Sequence, residues 1–188
     1  NYMATMHCLS GKDPYPIGNA HFVHVPYDTF RCADGVIVIA VITDNFWQDL
    51  KVVVDCPEFD NPLYDTQPGR WQDRALINRW LNDALGRQSC AYWLEKLEKH
   101  RIPCSAVNSI SQALSDPQVL HRNMVVDLRH PDGGSTRGPG NPIKLSRTKE
   151  ESFSPAPLLG ANTDSVMSEL LGLTATEIKA LKAQGAIG

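Results

Sequence analysis

Val36-Ile37-Val38-Ile39-Ala40-Val41-Ile42 is the longest unbroken apolar run in the chain. Its β-branched residues favour a strand, and a continuous rather than alternating run predicts cover on both faces. The run is far too short to cross a bilayer. Cys32-Ala33-Asp34-Gly35 supplies a turn before it, and the β-branched and aromatic residues between Phe22 and Phe30 supply a partner. A β-hairpin is therefore expected here. A hairpin cannot cover itself, so the rest of the chain must provide helices.

Helical spacing is present. Phe46, Trp47, Leu50, Val53 and Val54 predict a helix behind an Asp44 cap. Pro57 to Pro68 reads as a loop. Leu76, Ile77, Trp80, Leu81 and Leu85 predict one helix over 71–85, stopped at Gly86. Ser89 caps a further helix to His100, with Trp93, Leu94 and Leu97 inward. Trp71, Trp80 and Trp93 are read as a packing stripe. Ile102-Pro103-Cys104 leaves this helix extended. Ser109 with Gln112, and Thr174 with Glu177, are capping boxes, and Asp116-Pro117 pairs a cap with proline at the first helical position. Met124 to Leu128 predicts a strand, Pro131-Asp132-Gly133-Gly134 a turn, and Ser135 to Arg137 a return. Arg147 to Pro157 reads as a polar surface loop. Thr163 or Asp164 caps a helix closed by Gly172, and the last helix ends at Gly185. The fold class expected is mixed α/β: a short sheet with flanking helices.

Composition excludes several functions. A net charge of −3 and no basic block argue against a nucleic-acid surface. Five cysteines, odd in number, widely spaced and without Cys-x-x-Cys, fit reduced thiols in a cytoplasmic compartment. They do not fit a structural zinc site. Asn1-Tyr2-Met3-Ala4 has neither the basic nor the apolar region of a signal peptide, and with no initiator Met it reads as opening inside a longer sequence.

Several short motifs, in order, carry a resemblance. Gly18-Asn19-Ala20-His21, Pro26-Tyr27, Phe30-Arg31 and Ala33-Asp34-Gly35 stand near the start. Ile102-Pro103-Cys104, Val107-Asn108, Asp116-Pro117-Gln118-Val119 and Asn123-Met124-Val125-Val126 follow. Gly140-Asn141-Pro142-Ile143-Lys144-Leu145-Ser146, Pro157-Leu158-Leu159-Gly160, Asn162-Thr163-Asp164 and Leu171-Gly172-Leu173 complete the series. Together they resemble the second half of a class III CoA-transferase (CaiB/BaiF-like). The resemblance implies a small domain inserted into a large one, in an interlocked homodimer. Residues 1–20 would be a connector, 21–124 the small domain, and 125–188 a segment returning to the large domain. It also implies covalent catalysis by an aspartate, with a coenzyme A thioester as substrate and no cofactor or metal. No residue of this chain matches the aspartate motif, so no catalytic residue is assigned and this piece alone is expected to lack turnover. An α-methylacyl-CoA racemase-like isomerase and a non-catalytic assembly module are the rival readings.

Gly18, Asn19, Ala20 and His21 are the candidate substrate-binding residues, against a plain boundary turn. Formyl-CoA transferases carry a Gly-rich loop shortly afterwards; His21-Phe22-Val23-His24 stands there instead, which argues against formate-like substrates. His21 and His24 lack a third ligand for a metal. Cys104 near His100 is read as core, not as a nucleophile. Gly138-Pro139-Gly140 lacks the context of a phosphate loop. Lys144 and Arg147 are read as solvated cations. Asp34 and Asp65 are read as turn residues with local hydrogen bonds. Without the large domain, Val166, Leu170, Leu171, Ile178 and Leu181 lose their packing partner, so association or a disordered tail is expected.

Overall fold

The apolar run becomes the middle of a three-stranded antiparallel sheet. A computed structural model describes residues 2–131, 133–148 and 153–187, which fall in two units, Asn1–Asn108 and Ser109–Gly188. In the first unit β1 (Tyr27–Arg31) pairs with β2 (Val36–Ala40), Tyr27 opposite Ala40 and Arg31 opposite Val36. The far edge of β2 takes β3 (Cys104–Ala106), Ile37 opposite Ala106 and Ile39 opposite Cys104. Ile37 and Ile39 are buried, whereas Val36, Val38 and Ala40 are half-buried. The expectation of cover on both faces is thus corrected: one face packs the core, and the other is only partly covered.

Helices supply that core. The first, α1 (Tyr2–Ser10), precedes the connector. Next comes α2 (Asp44–Val54), the helix that periodicity predicts despite its Val52-Val53-Val54. Its cap is Thr43 rather than Asp44: the Thr43 hydroxyl accepts from Phe46 N at 3.3 Å, which leaves Asp44 free to pair elsewhere. The expected 57–68 loop is ordered into 3₁₀ turns at Pro57–Asp60 and Pro62–Asp65, each opened by proline.

The single helix expected over 71–85 is two, α3 (Gln67–Gln72) and α4 (Arg74–Leu85), broken at Asp73 (φ −106°, ψ 26°). A Ser89-capped α5 (Cys90–Lys99) follows. Phe30, Ile37, Ile39, Trp47, Leu50, Phe59, Ile77, Leu81, Leu85, Leu97 and Ile102 are all but fully buried in one cluster. Each such side chain contributes roughly 1.5–3 kcal/mol on burial. Trp93 joins them and donates its indole N–H to Leu85 O at 2.8 Å. Trp80 is half-buried. Trp71 breaks the expected stripe: it is 49% exposed and its indole N–H bonds Phe22 O rather than packing into the core.

In the second unit both the capping box of α6 (Ile110–Ser115) and the Asp116 cap of α7 (Pro117–His121) are formed. Strands β4 (Val125–Arg129) and β5 (Ser135–Pro139) make a two-stranded hairpin, Val125 opposite Pro139. Helix α8 (Thr163–Leu171) begins after Asn162, which takes the cap position in place of the expected Thr163 or Asp164 without a side-chain cap bond, and it stops at left-handed Gly172 (φ 67°). The Thr174–Glu177 box opens α9 (Ala175–Ala183). Residues 149–152 of the expected polar loop, and Asp132 of the expected turn, lie outside the described residues. Among the described residues of this unit only Val126 and Ile178 are buried apolar side chains, while Val166, Leu170 and Leu171 are exposed. No helix among the described residues is long and apolar enough to cross a membrane.

Candidate functional site

Gly18 opens the site. Its φ of +68° is one that L side chains rarely adopt, while the space around a Cβ there is open, so conformation rather than crowding requires glycine. The turn it makes is pinned to β1. Asn19 Nδ2 donates to Thr29 Oγ1 at 3.4 Å, and His21 N donates to Tyr27 O at 3.0 Å.

Residues 21–25 then form a strap, most of whose backbone groups are met by side chains. His21 Nδ1 accepts from both Val23 N and His24 N, each at 3.1 Å. Three side chains of α3 and the first residue of α4 do the rest. Gln67 accepts from Val25 N at 3.0 Å and donates to Val41 O at 3.2 Å. Arg70 Nε donates to Val25 O at 2.8 Å. The Trp71 indole donates to Phe22 O at 2.9 Å, and Arg74 Nη2 to His21 O at 2.6 Å and Phe22 O at 3.3 Å. Arg70 is fully buried: Nη1 donates to Tyr64 O at 2.7 Å, Nη2 pairs with Asp44 at 2.7 Å, and the guanidinium lies 5.2 Å from the Trp47 ring centroid. The strap is thereby held as one rigid piece.

Rings fix the His21 side chain. Tyr27 stacks on it at 5.1 Å and 16°, His24 lies at 4.6 Å, and Tyr2 of α1 at 5.9 Å. Burial first, then the neighbouring His24 and the Arg74 guanidinium, hold its imidazole below the usual histidine range. It is therefore neutral near pH 7. Phe22 and Val23, with Gln67, Pro68, Trp71 and Gln72, line an open and largely apolar pocket of about 430 Å³.

The structure thus gathers Gly18, Asn19, Ala20 and His21 at one end of β1. Gln67, Arg70 and Arg74, which support them, were not found from the sequence; their pattern Gln-x-x-Arg-Trp-x-x-Arg reads as a solvated stripe unless the strap's position is known. The other residues singled out lie apart from this strap. His100 Nδ1 bonds Lys96 O at 3.0 Å, and Cys104 is a half-buried strand residue whose thiol burial pushes up. Lys144 Nζ lies 3.5 Å from Asn123 O, and Arg147 is exposed. No group of three metal-ligating side chains occurs among the described residues.

Asp34 and Asp65 correct the local reading. Both lie in or beside turns, but their bonds are long-range. Asp34 accepts Cys90 N at 2.7 Å, and Asp65 accepts Gln48 Nε2 at 2.8 Å and Lys51 Nζ at 3.0 Å. Those bonds hold both carboxyls below their usual range.

A family model described as CoA-transferase family III matches residues 1–163. The succinyl-CoA:glutarate CoA-transferase of Homo sapiens is 28% identical over 172 residues, covering 91% of this chain and 39% of that protein. The acetyl-CoA:oxalate CoA-transferase of Acetobacter aceti is 30% identical over 138 residues, 73% of this chain and 34% of that one. Among solved structures, a CAIB/BAIF family protein from Brucella suis superposes with a TM-score of 0.74 at 26% identity, covering 90% of this chain and 44% of that chain. The chain spans about two fifths of the length of the curated relatives it matches.

Proposed function

Because the chain belongs to CoA-transferase family III, we propose that it supplies the C-terminal portion of an enzyme that moves CoA between organic acids. The match to that family over residues 1–163 carries this reading. The relatives described above are named as transferases, which favours acyl exchange over α-proton exchange. Glutarate and oxalate, named in those relatives, are dicarboxylic acids, and a dicarboxylate is the substrate class proposed here.

In the chemistry that the family resemblance implies, an aspartate carboxylate outside this chain attacks the thioester carbonyl. The C–S bond breaks, CoA leaves as thiolate, and a mixed anhydride remains. The thiolate then attacks the aspartyl carbonyl, releasing the donor acid and leaving an aspartyl-CoA thioester for the acceptor carboxylate. This chain's share is to hold the acid. Gly18, Asn19, Ala20 and His21 line that end of the site, leading into a strap whose ties to Gln67, Arg70, Trp71 and Arg74 leave it little freedom to lose when ligand binds. Residues 21–124 act as the small domain and residues 125–188 as the segment returning to a large domain, in a cytoplasmic homodimer.

The test is CoA exchange from succinyl-CoA to glutarate by the full-length protein containing this chain, followed by mass spectrometry of both thioesters. Glutaryl-CoA formation is expected. Absence of exchange with any dicarboxylate sinks the reading.

A further inference from the structure

Among the described residues the distal ring nitrogen of His21 has no hydrogen-bond partner. His21 Nδ1 receives two backbone N–H groups, so it carries a lone pair and the ring proton sits on Nε2. No hydrogen bond reaches Nε2 from any of the described residues. The ring cannot swing to find one, because Tyr27 is stacked on it and its backbone is tied to Tyr27 O and Arg74. Tyr2, His24, Tyr27 and Arg74 are the titratable and charged groups around it. Among them only Arg74 carries a fixed charge. Its Nη2 is committed to the His21 and Phe22 carbonyls, so its field favours an anion beside the ring while that nitrogen bonds the strap.

Resting on the dicarboxylate reading above, we infer that His21 Nε2–H donates to the second, non-reacting carboxylate of the acid, which makes His21 a specificity-determining residue and Arg74 its positioning residue. The reacting carboxylate must reach the aspartyl thioester outside this chain. The far carboxylate is the group left for a donor on the strap. A fixed N–H rewards an acceptor and leaves a methyl group in its place without reward.

Two variants separate the ring's two nitrogens. In His21→Asn the side-chain oxygen falls where Nδ1 was and still accepts from Val23 N and His24 N, but the distal donor is gone. In His21→Gln an amide donor falls where Nε2 was. The full-length protein is assayed with glutarate and with valerate, in which a methyl replaces one carboxylate. Wild type is expected to favour glutarate. His21→Asn is expected to lower the glutarate-to-valerate ratio of kcat/KM by about 10- to 100-fold, the size of one hydrogen bond to a charged group. His21→Gln recovers part of the ratio. Protection of the Val23 and His24 amides against hydrogen exchange reports an intact strap in His21→Asn.

An unchanged ratio while wild type exchanges CoA overturns the inference and leaves the transferase reading standing; no exchange by wild type removes the reading itself. Nitrogen-15 NMR of His21 at pH 7.5 gives an answer independent of activity and of either variant's folding. A proton on Nδ1, or on both nitrogens, overturns the inference.

Discussion

Arg70 offers the sharpest test of how the strap is held. Replacing it with Met keeps the bulk and removes three hydrogen bonds and a charge. Two of those bonds end on backbone carbonyls, of Val25 and Tyr64, whose residues are 1% and 3% exposed. Each carbonyl left without a donor costs about 1–3 kcal/mol. Loss of the guanidinium over Trp47 adds up to about 2 kcal/mol at a desolvated site. The Asp44 end adds little, since that carboxylate is 54% exposed and can return to water. The sum centres on about 5 kcal/mol for Arg70→Met. Arg70→Lys keeps the charge but cannot reach three acceptors that diverge from one planar fork, so it should fall near Met.

The assay is urea unfolding followed by tryptophan fluorescence, since Trp47, Trp71, Trp80 and Trp93 all lie in the first unit and report it selectively. If Arg70→Lys stays within about 1 kcal/mol of wild type, charge rather than geometry holds the strap, and the argument from paired carbonyls fails.

Other outcomes follow from single contacts. A Cβ on Gly69 would run into the Leu63 carbonyl oxygen, so Gly69→Ala should destabilise the first unit by about 3 kcal/mol in the same fluorescence assay. A Cβ on Gly140 would meet the Asn123 carbonyl oxygen instead; Gly140→Ala should lower the circular-dichroism melt by a similar ~2–3 kcal/mol and leave the tryptophan transition where it is. His21 sets a pH dependence. Its pKa in the fold lies below the ordinary 6.5, so below that pH the unfolded chain takes up a proton that the fold resists. Stability should therefore be complete above pH 6.5 and decline below it, and His21→Asn should flatten that slope between about pH 5 and 6.5, where carboxylates contribute little.

What could be read from the sequence was whatever a few neighbouring residues decide. Ser109 with Gln112, Thr174 with Glu177, and Asp116 before Pro117 each form the predicted cap, because donor and acceptor lie within one turn. The 32–35 turn and the apolar run after it likewise make the hairpin. Gly18 could be placed in a turn for the same reason. The support beneath it could not. Arg74 and Trp71 act on carbonyls about fifty positions earlier, and nothing in their neighbours marks that target. The same cause explains Asp73, where apolar spacing alone predicts an unbroken helix. Asp34 reads as a turn residue, yet its carboxylate holds the first amide of α5.

The order of pairing in the first sheet bears on how a ribosome must deliver this protein. The β1–β2 hairpin is complete soon after Ala40 emerges, but its other flank is covered only when Cys104–Ala106 arrives. Throughout synthesis of α2 to α5, the nascent chain carries an open Val-Ile-Val-Ile border with unpaired amides and carbonyls, the kind of border that recruits foreign strands. Slow translation or a stall between Thr43 and Pro103 should favour inclusion bodies, and chaperone capture during that interval should favour soluble yield.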